Sequence, residues 1–212
     1  MELIIRNEIE SDYRVVEELT REAFWNLYFP GCNEHYLVHK MRNHPDFLKE
    51  LDFVAEYNGK IVGNIIYTRA WLIDELGKEL EIVSFGPISV LPAYQRKGIG
   101  SALIQHTKNI AIQKDVKAIV IFGDPHNYCK HGFKNAKDFN ISDMNGEHPH
   151  AMLANELEEG ALAGHSWKYR YSDVYEIDEN DAEEYDQSFV KKEKGFQYTQ
   201  EIFSIAFRSY LK

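Results

Sequence analysis

The stretch Gln95-Arg96-Lys97-Gly98-Ile99-Gly100-Ser101-Ala102 constrains this chain more than any other. Before it runs Ile82-Val83-Ser84-Phe85-Gly86-Pro87-Ile88-Ser89-Val90-Leu91, apolar and β-branched enough for a buried strand. After it, Leu103, Ile104, Ile110 and Ile112 continue an apolar series with polar residues between them, the pattern of an amphipathic helix. Glycines and two cations therefore sit at a strand-to-helix joint. The first turn of a helix carries free N–H groups and a partial positive charge. Gly98 and Gly100 have no Cβ, so an anion can approach that backbone closely. A phosphate or pyrophosphate is the ligand such a joint suits. Arg96 and Lys97 either assist it or face solvent, where cations cost little. The bland alternative is an ordinary strand-to-helix turn with surface cations.

Two common phosphate motifs are excluded. The third glycine position of the dinucleotide fingerprint is Leu103, and no G-x-x-x-x-G-K-[ST] string exists. A length of 212 residues suits one domain with an added element, or two small ones. A hydrophobic content of 44% supports a sizeable core and excludes a disordered chain. The formal charge of -10 argues against a nucleic-acid partner and suits a cationic substrate or solubility alone. Cys32 and Cys129 lack metal-ligand spacing and read as free thiols in a reducing compartment. Met1-Glu2-Leu3-Ile4-Ile5-Arg6 lacks a signal-peptide pattern. No run approaches the roughly twenty apolar residues that cross a bilayer. The expectation is a soluble cytoplasmic protein with no membrane partner.

Leu3, Ile4 and Ile5 open a first strand over 3–8, and Ser11-Asp12 offers an N-cap for a helix striped by Val15, Val16, Leu19, Ala23 and Phe24. Pro30-Gly31 breaks it, and a second helix is predicted over 34–43. Strands over 53–57 and 61–67, the second continuing to about Ile73, flank Asn58-Gly59, a two-residue hairpin turn. Leu76-Gly77-Lys78 turns the chain into the long strand over 80–90. Successive antiparallel strands feeding a helix argue for a mixed α/β sheet. After the helix over 98–114, residues 118–122 read as a buried strand parallel to the previous one, since a helix crosses between them. A short helix over 126–131 is closed by Gly132-Phe133. Met152, Leu153, Leu157 and Leu162 predict a helix over 149–162, and 167–171 alternates like a strand. The acidic run over 176–184 reads as a solvated face or linker. The tail over 196–211 reads as an apolar helix, capped by Thr199, that the core or a second subunit must cover. The chain thus divides into a domain over 1–175 and a helical C-terminal extension over 176–212.

The string Gln-x-x-Gly-x-Gly-Ser-Ala, after a strand containing Pro87 and ending near Val90, resembles the acetyl-CoA loop of the GCN5-related N-acetyltransferase (GNAT) superfamily. A second stretch, Gly123-Asp124-Pro125-His126-Asn127-Tyr128-Cys129-Lys130-His131-Gly132-Phe133, resembles the family segment with a tyrosine four residues before a Gly-Phe pair; Tyr128 holds that place. The YhbS-like subgroup commonly follows Gly-Asp-Pro with two tyrosines, of which the first is Asn127 here. The resemblance implies a central mixed, mostly antiparallel sheet with splayed parallel strands four and five, flanked by helices. It implies acetyl-CoA as co-substrate. Its pantetheine arm would lie along Ile88, Ser89 and Val90, and its pyrophosphate on Gln95, Arg96, Lys97, Gly98, Ile99, Gly100 and Ser101. The N–H near Val90 would polarise the thioester carbonyl, and Pro87 would help part the strands. Trp25, Tyr28, His35 and Tyr36 fall where the family shapes its acceptor pocket, or are aromatic packing.

The resemblance makes Tyr128 the general acid. A phenol has a pKa of about 10 and a thiol about 8.5, so donation to the leaving thiolate is slightly uphill until hydrogen bonding lowers the phenol. The alternative is a Tyr128 that packs or only orients the sulfur. An alkylammonium with a pKa near 10.4 must lose a proton before it attacks. Glu81 has the wrong strand parity relative to Ser84, the position a family base can occupy. His126, His131 and a water relay stay open. An acyl-Cys129 intermediate lacks an activating histidine–acid arrangement. The implied activity is acetyl-CoA-dependent N-acetyl transfer to a primary amine of a small molecule, by direct attack in a ternary complex. A homodimer is one way to cover the tail. The alternatives are a non-catalytic acyl-CoA sensor and a protein or peptide N-acetyltransferase.

Overall fold

In the computed structural model, which describes residues 3–212, a hairpin forms the centre of the sheet. Strands β2 (Phe53–Tyr57) and β3 (Lys60–Ile73) meet at Asn58 and Gly59, whose φ values of 51° and 74° are the left-handed pair that a tight hairpin needs. β1 (Leu3–Asn7) lines the outer edge of β2, and β4 (Glu79–Val90) returns along β3. Helices α1 (Tyr13–Phe24) and α2 (Glu34–Met41) separate β1 from β2. Helix α3 (Ile99–Gln113) crosses from β4 to β5 (Ala118–Phe122), which runs parallel to β4. A short helix α4 (Pro125–Tyr128) leads to β6 (Lys134–Asn135), β7 (Ile141–Ser142), β8 (Met152–Glu156) and β9 (Trp167–Arg170). The sheet order is β1-β2-β3-β4-β5-β8-β6, with β9 on the far end of β3 and β7 beside β9.

The sheet is mixed and mostly antiparallel. β4 and β5 share one register pair, Val83 with Ile119. Beyond it they part, and residues 84–90 have no partner on the β5 side among the described residues. A bulge in the β3–β4 ladder falls at Gly86 and Pro87, where two residues of β4 face one of β3, and it bends β4 away. The expected splay of strands four and five is thus present.

Apolar burial on both faces fixes the layers. α3 lays Ile99, Leu103 and Ile104 over Phe53, Val62, Tyr67 and Phe85. α1 and α2 bring Val16, Leu19, Val38 and Met41 against Val54 and Ile66 on the opposite face. The expected helix over 149–162 is corrected: residues 152–156 form β8, pairing antiparallel with all of β5. Its side chains are buried on both sides, Leu153 in one cluster, Met152 and Ala154 in another. A doubly buried strand loses the alternation that marks strands, so its apolar run mimics a helix.

Two expected caps also differ. Asp12 stands at the start of α1 but accepts from the Ile9 N–H at 3.0 Å and from Arg6 Nη1 at 2.6 Å, tying the turn to β1. Thr199 donates back to the Leu27 carbonyl at 3.0 Å, and Gln197 starts the last helix. The C-terminal residues add α5 (Glu179–Asp186) and α6 (Tyr198–Phe207). Arg21 grips Asp186 with both ends of its guanidinium, at 2.6 and 3.0 Å, and donates to the Val190 carbonyl. Trp25 Nε1 donates to the Glu193 carbonyl at 2.9 Å. Tyr28 stacks on Phe203 with ring centres 4.0 Å apart.

Candidate active site

The splay between β4 and β5 opens two adjoining cavities. One, of about 380 Å³, lies over the joint between β4 and α3. The chain enters α3 through Arg96 at φ 58° and Gly98 at φ 86°. Gly98 occupies the N-cap and no side chain caps the helix, so the N–H groups of its first turn stay available. Gly98, Ile99, Gly100 and Ser101 line the cavity together with Ile88, Val90, Gln95 and Arg96. An added Cβ on Gly100 would meet only Val90 and Ile88, at 3.8 and 3.9 Å. Ser89 is fully buried and donates to Thr20 Oγ1 at 3.0 Å on the other face. Lys97 folds back on its own loop, donating to the Ala93 carbonyl at 2.8 Å. Gln95 Nε2 donates to the Val90 carbonyl at 3.1 Å, which braces the loop against the strand end.

The second cavity, of about 420 Å³, is walled by aromatic side chains from every part of the chain: Phe24 and Tyr28 from α1 and its exit, Phe85 from β4, Phe122 from β5, Tyr169 and Tyr171 around β9, and Phe203 and Phe207 from α6. Ser84, Pro87, Glu34 and Asp124 complete much of its lining. Phe24, Tyr28, Ile88 and Tyr128 line both cavities. Tyr128 therefore stands at their junction. Its ring sits 5.8 Å from Phe85 and 6.0 Å from Phe133. Gly123 makes this possible: a Cβ there would fall 2.4 Å from Tyr128 Cε2. Burial, then Asp124, pushes the Tyr128 phenol up to about 12. The expected lowering by hydrogen bonding is therefore corrected: an apolar wall disfavours the phenolate more than any donor favours it.

Other candidates separate cleanly. His131 lines the first cavity, its Nε2 3.4 Å from Ser101 Oγ, and burial followed by Lys130 and Lys108 pushes its pKa down. His126 and Cys129 are exposed and line neither cavity. Glu81 pairs with Arg69 at 3.4 Å on the surface. Tyr28 lines both cavities, whereas Trp25, His35 and Tyr36 line neither. His35 is buried against Asp186 instead, at 3.1 Å. Sequence reasoning missed Glu34 in any role beyond starting α2. Glu34 lines the second cavity, and its carboxylate accepts from the Asn33 N–H at 3.1 Å and is pushed up to about 7 by burial. The Asn33-Glu34 pair ahead of a helix is the one local signal of an acid held at a helix start.

A strand-loop-helix joint with free first-turn amides opens onto a second, aromatic chamber. Residues 18–133 match the acetyltransferase (GNAT) family. The chain belongs to that family and is an acetyltransferase. Among relatives, the uncharacterised N-acetyltransferase YhbS of Escherichia coli K12 is 26% identical over 163 residues, covering 76% of this chain and 92% of that protein. The uncharacterised N-acetyltransferase YjhQ of the same organism is 33% identical over 88 residues, 40% of this chain and 46% of that protein. Among solved structures, E. coli YhbS in complex with CoA superposes with a TM-score of 0.72 at 24% identity, covering 84% of this chain and 93% of that one. A Brucella melitensis GNAT acetyltransferase in complex with acetyl-CoA gives 0.65 at 23% identity, covering 82% and 98%. Among the described residues no helix is long and apolar enough to cross a membrane.

Proposed function

We propose that the chain transfers an acetyl group from acetyl-CoA to a primary amine of a small molecule by direct attack in a ternary complex. The observation that carries this reading is the pair of cavities joined at Tyr128. The CoA and acetyl-CoA in the complexes of the two structural neighbours are consistent with the donor. On this reading the first cavity takes the donor. The first-turn amides of α3, with Gly98, Ile99, Gly100, Ser101, Gln95 and Arg96, hold the pyrophosphate. Ile88, Ser89 and Val90 offer the unpaired side of β4 to the pantetheine arm, and the Val90 N–H polarises the thioester carbonyl. Lys97 contributes only if it leaves the Ala93 carbonyl.

The second cavity takes the amine, whose nitrogen reaches the thioester past Tyr128. Tyr128 keeps its proton until charge builds on the departing sulfur, then supplies it. Each pKa unit by which the phenol exceeds the thiol costs about 1.4 kcal/mol, and the same dry walls raise the thiolate's own proton affinity. The test measures CoA affinity by calorimetry and thiol release with an amine panel, for wild type and Tyr128→Phe. Turnover should fall about 100-fold or more in the variant while CoA affinity holds. Unchanged turnover would remove Tyr128 from the chemistry, and absent CoA binding in wild type would end the reading.

A further inference from the structure

The lining of the aromatic cavity restricts the amine further, on the reading that this cavity is the acceptor site. Among the described residues no lysine, arginine or histidine lines it. Two carboxyls do, and they differ. Asp124 is exposed and already caps α4, accepting from the His126 N–H at 2.9 Å. Glu34 is partly buried, and its Oε2 accepts from the Asn33 N–H. Among the described residues Glu34 has no cationic partner. The charged groups around it are accounted for. Cys32 and Tyr28, both pushed up by burial, stay neutral, and Tyr128 also holds its proton. Lys194, packed over Gly31, pairs with Glu183.

An unpaired acid in an apolar chamber favours a cationic ligand. It favours one that brings a single charge. A second ammonium would find only Asp124, which is exposed and already caps α4, so that pairing gains little, and a ligand carboxylate would meet two acids and no base. The body of that ligand meets rings on most sides: Tyr28 stacked on Phe203, and Phe207 beside both Phe203 and Phe122. A cavity of about 420 Å³ lies within the ordinary range for small-molecule sites.

We propose that the acceptor is a monoamine with an aryl or bulky alkyl body and no carboxylate, and that Glu34 receives its ammonium and removes the first proton. In that step the Glu34 carboxylate takes one proton from R–NH3+, leaving R–NH2. The nitrogen lone pair forms the new C–N bond at the thioester carbon, and the C–S bond breaks. Tyr128 gives its proton to the departing sulfur and regains one from the nitrogen. Glu34 then releases its proton to solvent, so the products are R–NH–COCH3, CoA thiol and one proton. A base pushed up to about 7 is matched to that task at neutral pH.

The experiment assays thiol release by the full chain with acetyl-CoA and 2-phenylethylamine, hexylamine, phenylalanine, spermidine, an aminoglycoside and a short peptide. 2-Phenylethylamine should exceed phenylalanine and spermidine in kcat/KM by about 100-fold or more, because the second charge of either finds no buried partner in the chamber. Its kcat/KM should fall tenfold per pH unit below about 7, as Glu34 becomes protonated. Glu34→Gln should lose about 100-fold with 2-phenylethylamine at pH 7 and lose the acid limb. The same variant should lose far less with an aryl hydrazide, whose nitrogen is already neutral. A merely structural role would lower both substrates equally. If Glu34→Gln does not fold, the wild-type panel and pH profile decide alone. Comparable rates on phenylalanine, spermidine or the peptide would overturn this proposal while leaving acetyl transfer standing. CoA binding with no turnover on any amine would remove both.

Discussion

Tyr128 depends on a neighbour that has no side chain. Replacing Gly123 with alanine sets a Cβ 2.4 Å from the tyrosine ring, so the ring must swing out of the junction. Gly123→Ala should lower kcat about 100-fold, as misplacement of a reacting group by an ångström does, while circular dichroism stays native. A second residue-scale case is Arg42. It donates to Glu8 at 2.7 Å and to Glu17 at 2.7 Å, with the Arg42 and Glu8 side chains almost wholly buried. Arg42→Met would leave the buried Glu8 without its cation, while Glu17 keeps only His39, at 3.1 Å. A loss of about 3–5 kcal/mol in urea unfolding is expected, since breaking a buried pair strands the remaining charge. The first arrangement is local in sequence and the second is not. Tyr128 was legible because a short motif holds it, whereas Glu34 acquires its buried environment, and Arg42 its partners, only when α2 and its exit pack.

At the scale of elements, the joint between β4 and α3 was legible because it is local chemistry: strand, glycine turn and helix start are contiguous. Ile88, Val90, Gln95, Arg96 and residues 98–101 all line one cavity, while Ser89 and Lys97 turn their side chains elsewhere. Gly100→Ala tests whether the cradle needs bare backbone. Its Cβ meets only ordinary contacts, so thermal stability should change little, whereas CoA affinity should fall at least tenfold by calorimetry. Equal affinity would place the pyrophosphate elsewhere. Strand β8 shows the opposite case. Its composition fits a helix as well as a buried strand, and only pairing with β5 decides between them.

For the whole molecule, charge predicts an asymmetric response to pH. Asp12 is held below its ordinary value, chiefly by the hydrogen bond from Arg6, so its contribution exists above the unfolded carboxylate value and is lost as pH falls through the folded one. Asp52 and Glu34 are raised, chiefly by burial. Their contributions are complete below the unfolded carboxylate value of about 4 and are lost as pH rises from there, the loss ending near 7 for Glu34 and near 9 for Asp52. Thermal melting should therefore weaken as pH rises toward about 9, above neutrality through Asp52 alone, as well as weakening in acid through Asp12. A flat profile from pH 6 to 10 would contradict these burials. The C-terminal residues also act at this scale. α6 supplies Phe203 and Phe207 to the aromatic cavity, so truncation after Ser188 should raise KM for the acceptor more than tenfold with donor affinity retained.

By itself the amino-acid order determined what is contiguous: the Asn58-Gly59 hairpin, the strand that ends at Val90, the glycine-rich entry to α3, and Tyr128 before Gly132-Phe133. The first three follow from backbone freedom or periodicity within a few residues, and the last from the resemblance of a short motif. Tertiary structure alone decided that β4 and β5 part after Val83, that residues from α1, β5, β9 and α6 wall one chamber, and that Glu34 looks into it. Those outcomes arise from burial between segments far apart in the chain, where each side chain's environment is set by partners that local pattern does not encode.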